Sequence, residues 1–262
     1  MTVRLSAKRE AFTLIEMMVA IATIAILASL LLPVLGRAKN KAQRTACLSN
    51  LRQLGFAWQL YFQENNGYLA EAYPTNNSDA WVFGDMSVAK EAADPELVRE
   101  GKLFPYVRDI SCYHCPADQG ATSSGKRLAS LRSYSMNSFM GAREDGSGPI
   151  PPSAAKYVPF FAKDADLLKP SDLWVMLDED ERSINDGFFV TDPAARVWYD
   201  YPAISDHRHA FSYGLNFADG HAEDWRIHDS QSAQISQSAA TSPIQPHNTD
   251  LANLAAASTL RK

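Results

Sequence analysis

From Phe12 to Leu35 the chain runs for about 24 residues in which Glu16 is the single charged side chain. A helix rising about 1.5 Å per residue covers a hydrocarbon core of about 30 Å over that length, so the pattern predicts a membrane-spanning helix. Beyond Pro33 and Gly36 the apolar positions narrow to a stripe of Ala38, Ala42, Cys47, Leu51, Leu54, Trp58 and Tyr61, with Lys39, Lys41, Arg44, Asn50, Arg52 and Gln53 off it. That spacing predicts an amphipathic continuation of the same helix, about 50 residues and of order 75 Å in all. Asn65, Asn66 and Gly67 supply its stop, because Asn and Gly tolerate the left-handed backbone of a helix end. Pro33 removes one backbone hydrogen bond and invites a kink.

From Tyr68 to His228 the pattern changes to short segments broken by Gly, Pro, Asn and Asp. "DPELVREG" predicts a short helix from Asp94 and Pro95 by the cap-then-proline rule. "LWVMLDED" from Leu173 predicts a buried strand ending in acids, and Gly187 to Val190 a short strand. "YGLNFADGHAEDWRI" alternates on both sides of Asp219-Gly220, which predicts a hairpin closed by a type I′ turn. From Asp229 the chain is rich in Ser, Ala, Gln and Pro and is expected to be a flexible tail, with a weak terminal helix in "LANLAAASTLRK".

The 262 residues, 46% apolar and 21% charged, suffice for one sizeable core or two. A net charge of −5 argues against nucleic acid as a partner. The basic residues Arg4, Lys8 and Arg9 precede the apolar run, so the positive-inside rule leaves Met1 to Ala11 in the cytoplasm and exports the remainder. A cleaved secretory signal would have a shorter apolar region and a small-residue exit, which this run lacks.

"AFTLIE" after a short basic leader resembles the processing site of type IV pilins and type II secretion pseudopilins. The resemblance implies cleavage by a prepilin peptidase between Ala11 and Phe12 and N-methylation of Phe12. Glu16 then stands at the fifth mature position and Pro33 at the twenty-second. Gly is usual before the cut, and Ala11 departs from it. Glu16 would meet the α-amine at a neighbouring subunit's Phe12, each charge offsetting a partner that is costly in lipid. A carboxylate snorkelling to the headgroups is the plainer alternative. His209, nine residues, then Asp219-Gly220 resembles the H-x9-DG signature of a group of pseudopilin-like proteins, and "ACLSNLRQLG", "SCYHCPAD" and "SYSMN" agree with it.

The resulting expectation is an α+β, pilin-like fold. It divides into a leader at 1–11, a transmembrane helix at 12–35, its amphipathic continuation at 36–66, a small, mostly antiparallel β domain at 67–228 and a tail at 229–262. The implied function is structural, not enzymatic: a single-pass inner-membrane subunit with its domain outside the cytoplasm, polymerising through its helix in a type II secretion pseudopilus or type IV pilus-like assembly. Its partners would be the peptidase, other subunits and membrane lipid. The alternative is a membrane-anchored binding module, glycan-binding for instance, with Trp81, Trp174, Trp198 and Trp225 as stacking platforms, although core packing explains aromatics more cheaply.

Further chemistry is sparse in the sequence. Cys112-x2-Cys115 as a zinc site would need two more ligands, with only Cys47 and scattered histidines to supply them. A redox pair would need a helix N-terminus in a βαβ context. One disulfide among Cys47, Cys112 and Cys115 is therefore expected, with the third thiol buried. Asp178, Asp180 and Asp186 lie in an acidic run that could offer oxygen ligands to calcium, without a regular D-x-D-x-D-G spacing. His207, His209 and His221 could crowd beside Asp206 and Asp219, but neither H-E-x-x-H nor a nucleophile elbow is present. A hydrogen bond from His209 to backbone or to the Asp219 turn is the expected role.

If the leader reading holds, the mature chain begins at a methylated Phe12, Ala11→Gly keeps or improves processing, and Ala11→Leu blocks it. Intact-mass and N-terminal sequencing check this. A mature terminus beyond Pro33 would show an ordinary secretory signal instead.

Overall fold

Helix α1 (Leu14–Glu64) runs through Pro33 as one element and ends where Asn66 and Gly67 take positive φ of 55° and 80°. The computed structural model describes residues 13–73, 79–120, 122–123, 126–127, 130–141, 161–204, 208–235 and 244–259. It divides into two compact units, Met1–Lys41 and Ala42–Lys262. The processing residues Ala11 and Phe12, along with Asp206 and His207, lie outside the described residues.

In the first unit, the large apolar side chains of α1 from Leu14 to Leu35 are exposed. Among the described residues, α1 is the one helix long and apolar enough to cross a membrane. Its start is a capping box. Glu16 Oε2 accepts from the Thr13 backbone N–H at 2.9 Å and from Thr13 Oγ1 at 2.8 Å, and the Glu16 N–H donates back to Thr13 Oγ1 at 3.3 Å. Glu16 therefore has a partner within its own chain, which the apolar pattern alone did not suggest.

In the second unit, α1 buries Cys47, Leu51, Leu54, Gly55, Ala57, Trp58 and Tyr61. Three short helices follow: α2 (Ala89–Ala92), α3 (Pro95–Arg99) and α4 (Phe104–Val107). Asp94 caps α3 through the Glu96 N–H at 3.0 Å, as the cap-then-proline pattern predicts. After the small pair β1 (Thr122–Ser123) and β2 (Lys126–Arg127), the chain forms β3 (Tyr134–Asn137), β4 (Trp174–Asp178), β5 (Phe188–Phe189), β6 (Ser212–Phe217) and β7 (Ala222–Arg226). These last five make a mixed sheet in the order β5-β3-β4-β6-β7, antiparallel except between β3 and β5. The architecture is α+β and pilin-like, a long N-terminal apolar helix followed by a small mixed sheet.

Strand periodicity sorts the sheet into two faces. On β6, Tyr213, Leu215 and Phe217 belong to one apolar cluster, whereas Gly214 and Asn216 meet α1. The α1 face works by close approach. A Cβ on Gly214 would lie 2.6 Å from Leu51 Cδ1, and one on Gly55 would lie 2.6 Å from Asn216 Nδ2. Asn216 then donates to the Leu51 carbonyl inside α1 at 2.8 Å and accepts from the Met176 N–H at 2.7 Å. The β4–β6 register shifts between Trp174 and Met176, so a side chain supplies the acceptor that the ladder lacks there.

The opposite face is covered by the segment expected to be a flexible tail, and that expectation is corrected. Helices α5 (Ser230–Ile235) and α6 (Thr249–Ser258) bury Ile235, Leu251, Leu254 and Ala255 against Trp174, Phe189, Tyr213, Leu215 and Phe217. Asn248 caps α6 through the Leu251 N–H at 2.9 Å, and Trp174 Nε1 donates to Ser258 Oγ at 2.8 Å.

The hairpin turn also differs from the expected type I′. Phe217 N–H donates to the His221 carbonyl and Gly220 N–H to the Phe217 carbonyl, both at 2.9 Å. Gly220 has φ +95°, while Asp219 does not enter the left-handed region. This is a three-residue connection with Gly at the bulge position. It docks on α1, where Gln59 Nε2 donates to the Ala218 carbonyl at 3.0 Å.

Asn216→Ala should strand the buried Met176 N–H and cost about 2–3 kcal/mol, as is typical of an unsatisfied buried donor with some lost packing. Gly55→Ala should destabilise through its clash with Asn216, whereas Arg99→Ala, in an exposed pair, should be neutral. Denaturant unfolding of the full chain in detergent measures all three. An Asn216→Ala chain as stable as the native one would refute the role given to that amide.

Candidate functional site

Four chain segments bring Cys47, Cys115, Asp178 and His209 together in the interior of the second unit. Cys47 projects from the buried stripe of α1. Cys115 follows the 3-10 turn Ile110–Tyr113, and α1 holds that loop by its carbonyls on either side: Asn50 Nδ2 donates to His114 O at 3.0 Å and Gln43 Nε2 to Pro116 O at 2.7 Å. Asp178 ends β4 opposite Tyr134 of β3. His209 opens a run of three left-handed residues, His209, Ala210 and Phe211, with φ of 57°, 55° and 60°. Such a run costs about 1–2 kcal/mol per residue and persists because its surroundings hold it. Ser212 Oγ closes it by donating to the His209 carbonyl at 2.7 Å.

One donor atom from each of the four residues lies within 4.8 Å of the others, and all four residues are buried. His209 Nε2 is 3.0 Å from Cys115 Sγ and 3.5 Å from Asp178 Oδ2, and Cys47 Sγ is 3.7 Å from the same oxygen. The other Asp178 oxygen, Oδ1, accepts from Arg208, a fully buried cation that also reaches Glu181 at 2.9 Å and Asp118 at 3.5 Å. Tyr134 OH donates to Cys47 Sγ at 3.3 Å. Burial pushes the Cys47 thiol well up. For Cys115 the penalty of burial is outweighed by the Cys47 hydrogen bond and by the charges of Arg208 and His209, which hold it well below the ordinary thiol range.

The structure thus sorts the residues singled out in the sequence. All three cysteines are free, in place of the expected disulfide. Cys112 stands apart, its Sγ donating to Gln53 Oε1 at 3.4 Å, so the two cysteines of the C-x-x-C spacing have different neighbours. His209 is turned to Cys115 and Asp178 and not to the Asp219 turn. Asp219 Oδ1 instead accepts from the His221 N–H at 3.0 Å and contacts His221 Nδ1 at 2.6 Å. His209 and Asp219-Gly220 sit at opposite ends of β6, about 20 Å of strand, and both ends meet α1, at Cys47 and at Gln59. The nine-residue spacing is the length of one strand and its turn.

The three acids considered for calcium are held by different partners. Asp178 faces Arg208, Asp180 takes the Arg182 fork at 2.6 and 2.8 Å, and Asp186 accepts from the Phe188 N–H at 3.2 Å. Of the four tryptophans considered as stacking platforms, Trp81, Trp174 and Trp198 are core residues. Trp225 borders a cleft of about 620 Å³ that Asp172, Asp224, His228 and Asp250 also line. Arg208, Tyr134, Asn216 and Thr13 were not anticipated. Of these only Thr13 had a sequence signal, the T-x-x-E of a capping box.

Residues 6–32 match the Prokaryotic N-terminal methylation motif. The chain therefore carries a prepilin-type leader joined to an apolar helix, the N-terminal arrangement of type IV pilin-like proteins. No curated protein and no solved structure matches the chain.

Two acids near the sheet edge set a pH dependence. Burial raises Asp186 to about 6 and Asp200 to about 7, the latter against the opposing effect of the Val190 N–H that it accepts at 2.6 Å. An unfolded aspartate ionises near 4, so the folded chain holds more protons between about pH 4 and about pH 7. Their contribution is complete below that window and is lost as the pH rises through it. Between about pH 5 and about pH 8 these two acids act to lower the Tm, so thermal unfolding of Asp200→Asn should show a smaller fall, or a larger rise, in Tm over that window than the native chain. An Asp200→Asn chain with the native chain's Tm profile across the window would contradict the assignment.

Proposed function

We propose that this chain is a structural subunit of a type II secretion pseudopilus or type IV pilus-like assembly. It is cut between Ala11 and Phe12 by a prepilin peptidase, held in the inner membrane by α1 with its domain outside the cytoplasm, and polymerised through that helix. The observation that carries this reading is the methylation motif at residues 6–32, running into a helix whose apolar side chains are exposed from Leu14 to Leu35. So long an apolar surface needs lipid or other helices to cover it. Proteins with such leaders are usually structural, which supports a non-enzymatic role.

Within this reading Glu16 has two duties that one substitution separates from another. It caps its own helix through Thr13, and its charge would pair with the Phe12 amine of a neighbouring subunit. Glu16→Gln keeps a side chain that serves in a capping box but removes the charge; Glu16→Ala removes both. We expect both variants to insert and be cleaved, and both to lose cross-linked oligomers in membranes. Oligomers formed by Glu16→Gln at the native level would assign Glu16 to capping alone, and native-level oligomers from both would remove it from assembly.

A further inference from the structure

We propose that Cys47, Cys115, Asp178 and His209 bind one structural Zn2+ that fastens α1 to the sheet. This goes beyond the filament reading and does not depend on it.

Tetrahedral zinc with bonds of about 2.0–2.3 Å places its donor atoms about 3.3–3.8 Å apart. Three of the six donor separations, 3.0 Å from His209 Nε2 to Cys115 Sγ and 3.5 and 3.7 Å from Asp178 Oδ2 to His209 Nε2 and Cys47 Sγ, lie in or near that range, and all six are within 4.8 Å. Two thiols and an imidazole select a borderline-soft transition metal over calcium or magnesium. Four protein donors fill all four positions of a tetrahedral ion, as in structural and not catalytic zinc sites.

The surroundings are arranged as a metal site's outer layer would be. Arg208 occupies Asp178 Oδ1 and leaves Oδ2 to the cluster, fixing the carboxylate as a single-oxygen ligand. Tyr134 OH donates to Cys47 Sγ, which would stabilise a thiolate. His209 presents Nε2 to the cluster, while its Nδ1 is buried without a hydrogen-bond partner among the described residues, the one departure from a usual ligating histidine's outer layer. On binding, both sulfurs coordinate as thiolates: each S–H bond present in the free protein breaks as its Zn–S bond forms and its proton leaves to solvent, with no change of oxidation state. Two thiolates, a carboxylate and the dication sum to one negative charge, which Arg208 helps to offset.

The four ligands come from α1, the loop after the 3-10 turn, the end of β4 and the turn before β6. No unfolded chain presents them together, so binding adds to folding stability. The site also gives the histidine of the H-x9-DG signature a chemical role.

The test uses full-length protein in detergent with reductant, loaded with Zn2+, desalted and assayed for bound metal, and separately titrated with Co2+. We expect one zinc per chain, a zinc-dependent rise in Tm, and tetrahedral cobalt bands with thiolate charge transfer. Cys112→Ser should retain all three. Cys115→Ser and His209→Gln should bind at least about 100-fold more weakly, more than loss of an outer-layer partner costs. The native chain needs no variant to fold for its own measurement. The proposal fails if the reduced native chain holds well under one zinc, if its cobalt spectrum lacks thiolate charge transfer, or if Cys115→Ser still binds tightly. It also fails if Cys112→Ser abolishes binding, or if a Cys47–Cys115 disulfide forms without reductant and the reduced protein takes up no metal.

Discussion

The contact between α1 and β6 is the constraint on which the second unit depends. A helix can lie this close to a strand only where neither presents a bulky side chain, and Gly55 opposite Asn216 and Gly214 opposite Leu51 meet that condition. Asn216 turns the close approach into a specific one. Its amide spans from a helix carbonyl to a strand N–H orphaned by the irregularity in β4. Burying such a group is favourable only when both ends are satisfied, so the register of helix on strand is fixed and not merely permitted. Cys47, Asn50 and Gln43 follow from that register, since they place the Cys115 loop over the end of β4.

One helix thus carries two different surfaces. Up to Leu35 its apolar side chains are exposed, and from Cys47 a stripe of them is buried in a folded core. The change follows from composition. The first part is apolar all round and suits lipid or other helices, whereas the second confines its apolar residues to one face and suits a sheet. Glu16 marks the beginning of the first surface, where the end of a helix leaves backbone donors in need of acceptors.

Much of the fold was legible in the sequence because it rests on local signals. The apolar run, the amphipathic stripe, the Asn-Asn-Gly stop, the Asp94-Pro95 helix start and the alternation about Asp219-Gly220 each involve residues close in the chain. The tail was misjudged for the same reason. Ser, Ala and Gln predict little burial by themselves, but Tyr213, Leu215 and Phe217 leave an apolar face that needs a cover, and α6 supplies it with Leu251 and Leu254. The turn type was misjudged because Asp-Gly fits both a two-residue turn and a three-residue one with a bulge, and strand pairing decides between them.

The candidate site divides along the same line. By itself the sequence determined the prepilin-type leader, the long apolar helix and the presence of the cysteines and histidines, because those are properties of residue type and short spacing. It drew attention to Cys112 and Cys115 as a pair, since spacing was the only measure it offered. Tertiary structure alone decided that Cys115 leaves Cys112 and joins Cys47, Asp178 and His209, positions separated by 30 or more residues along the chain. Donor atoms from four segments converge only after the helix has docked and the strands have paired, and no local pattern encodes that geometry.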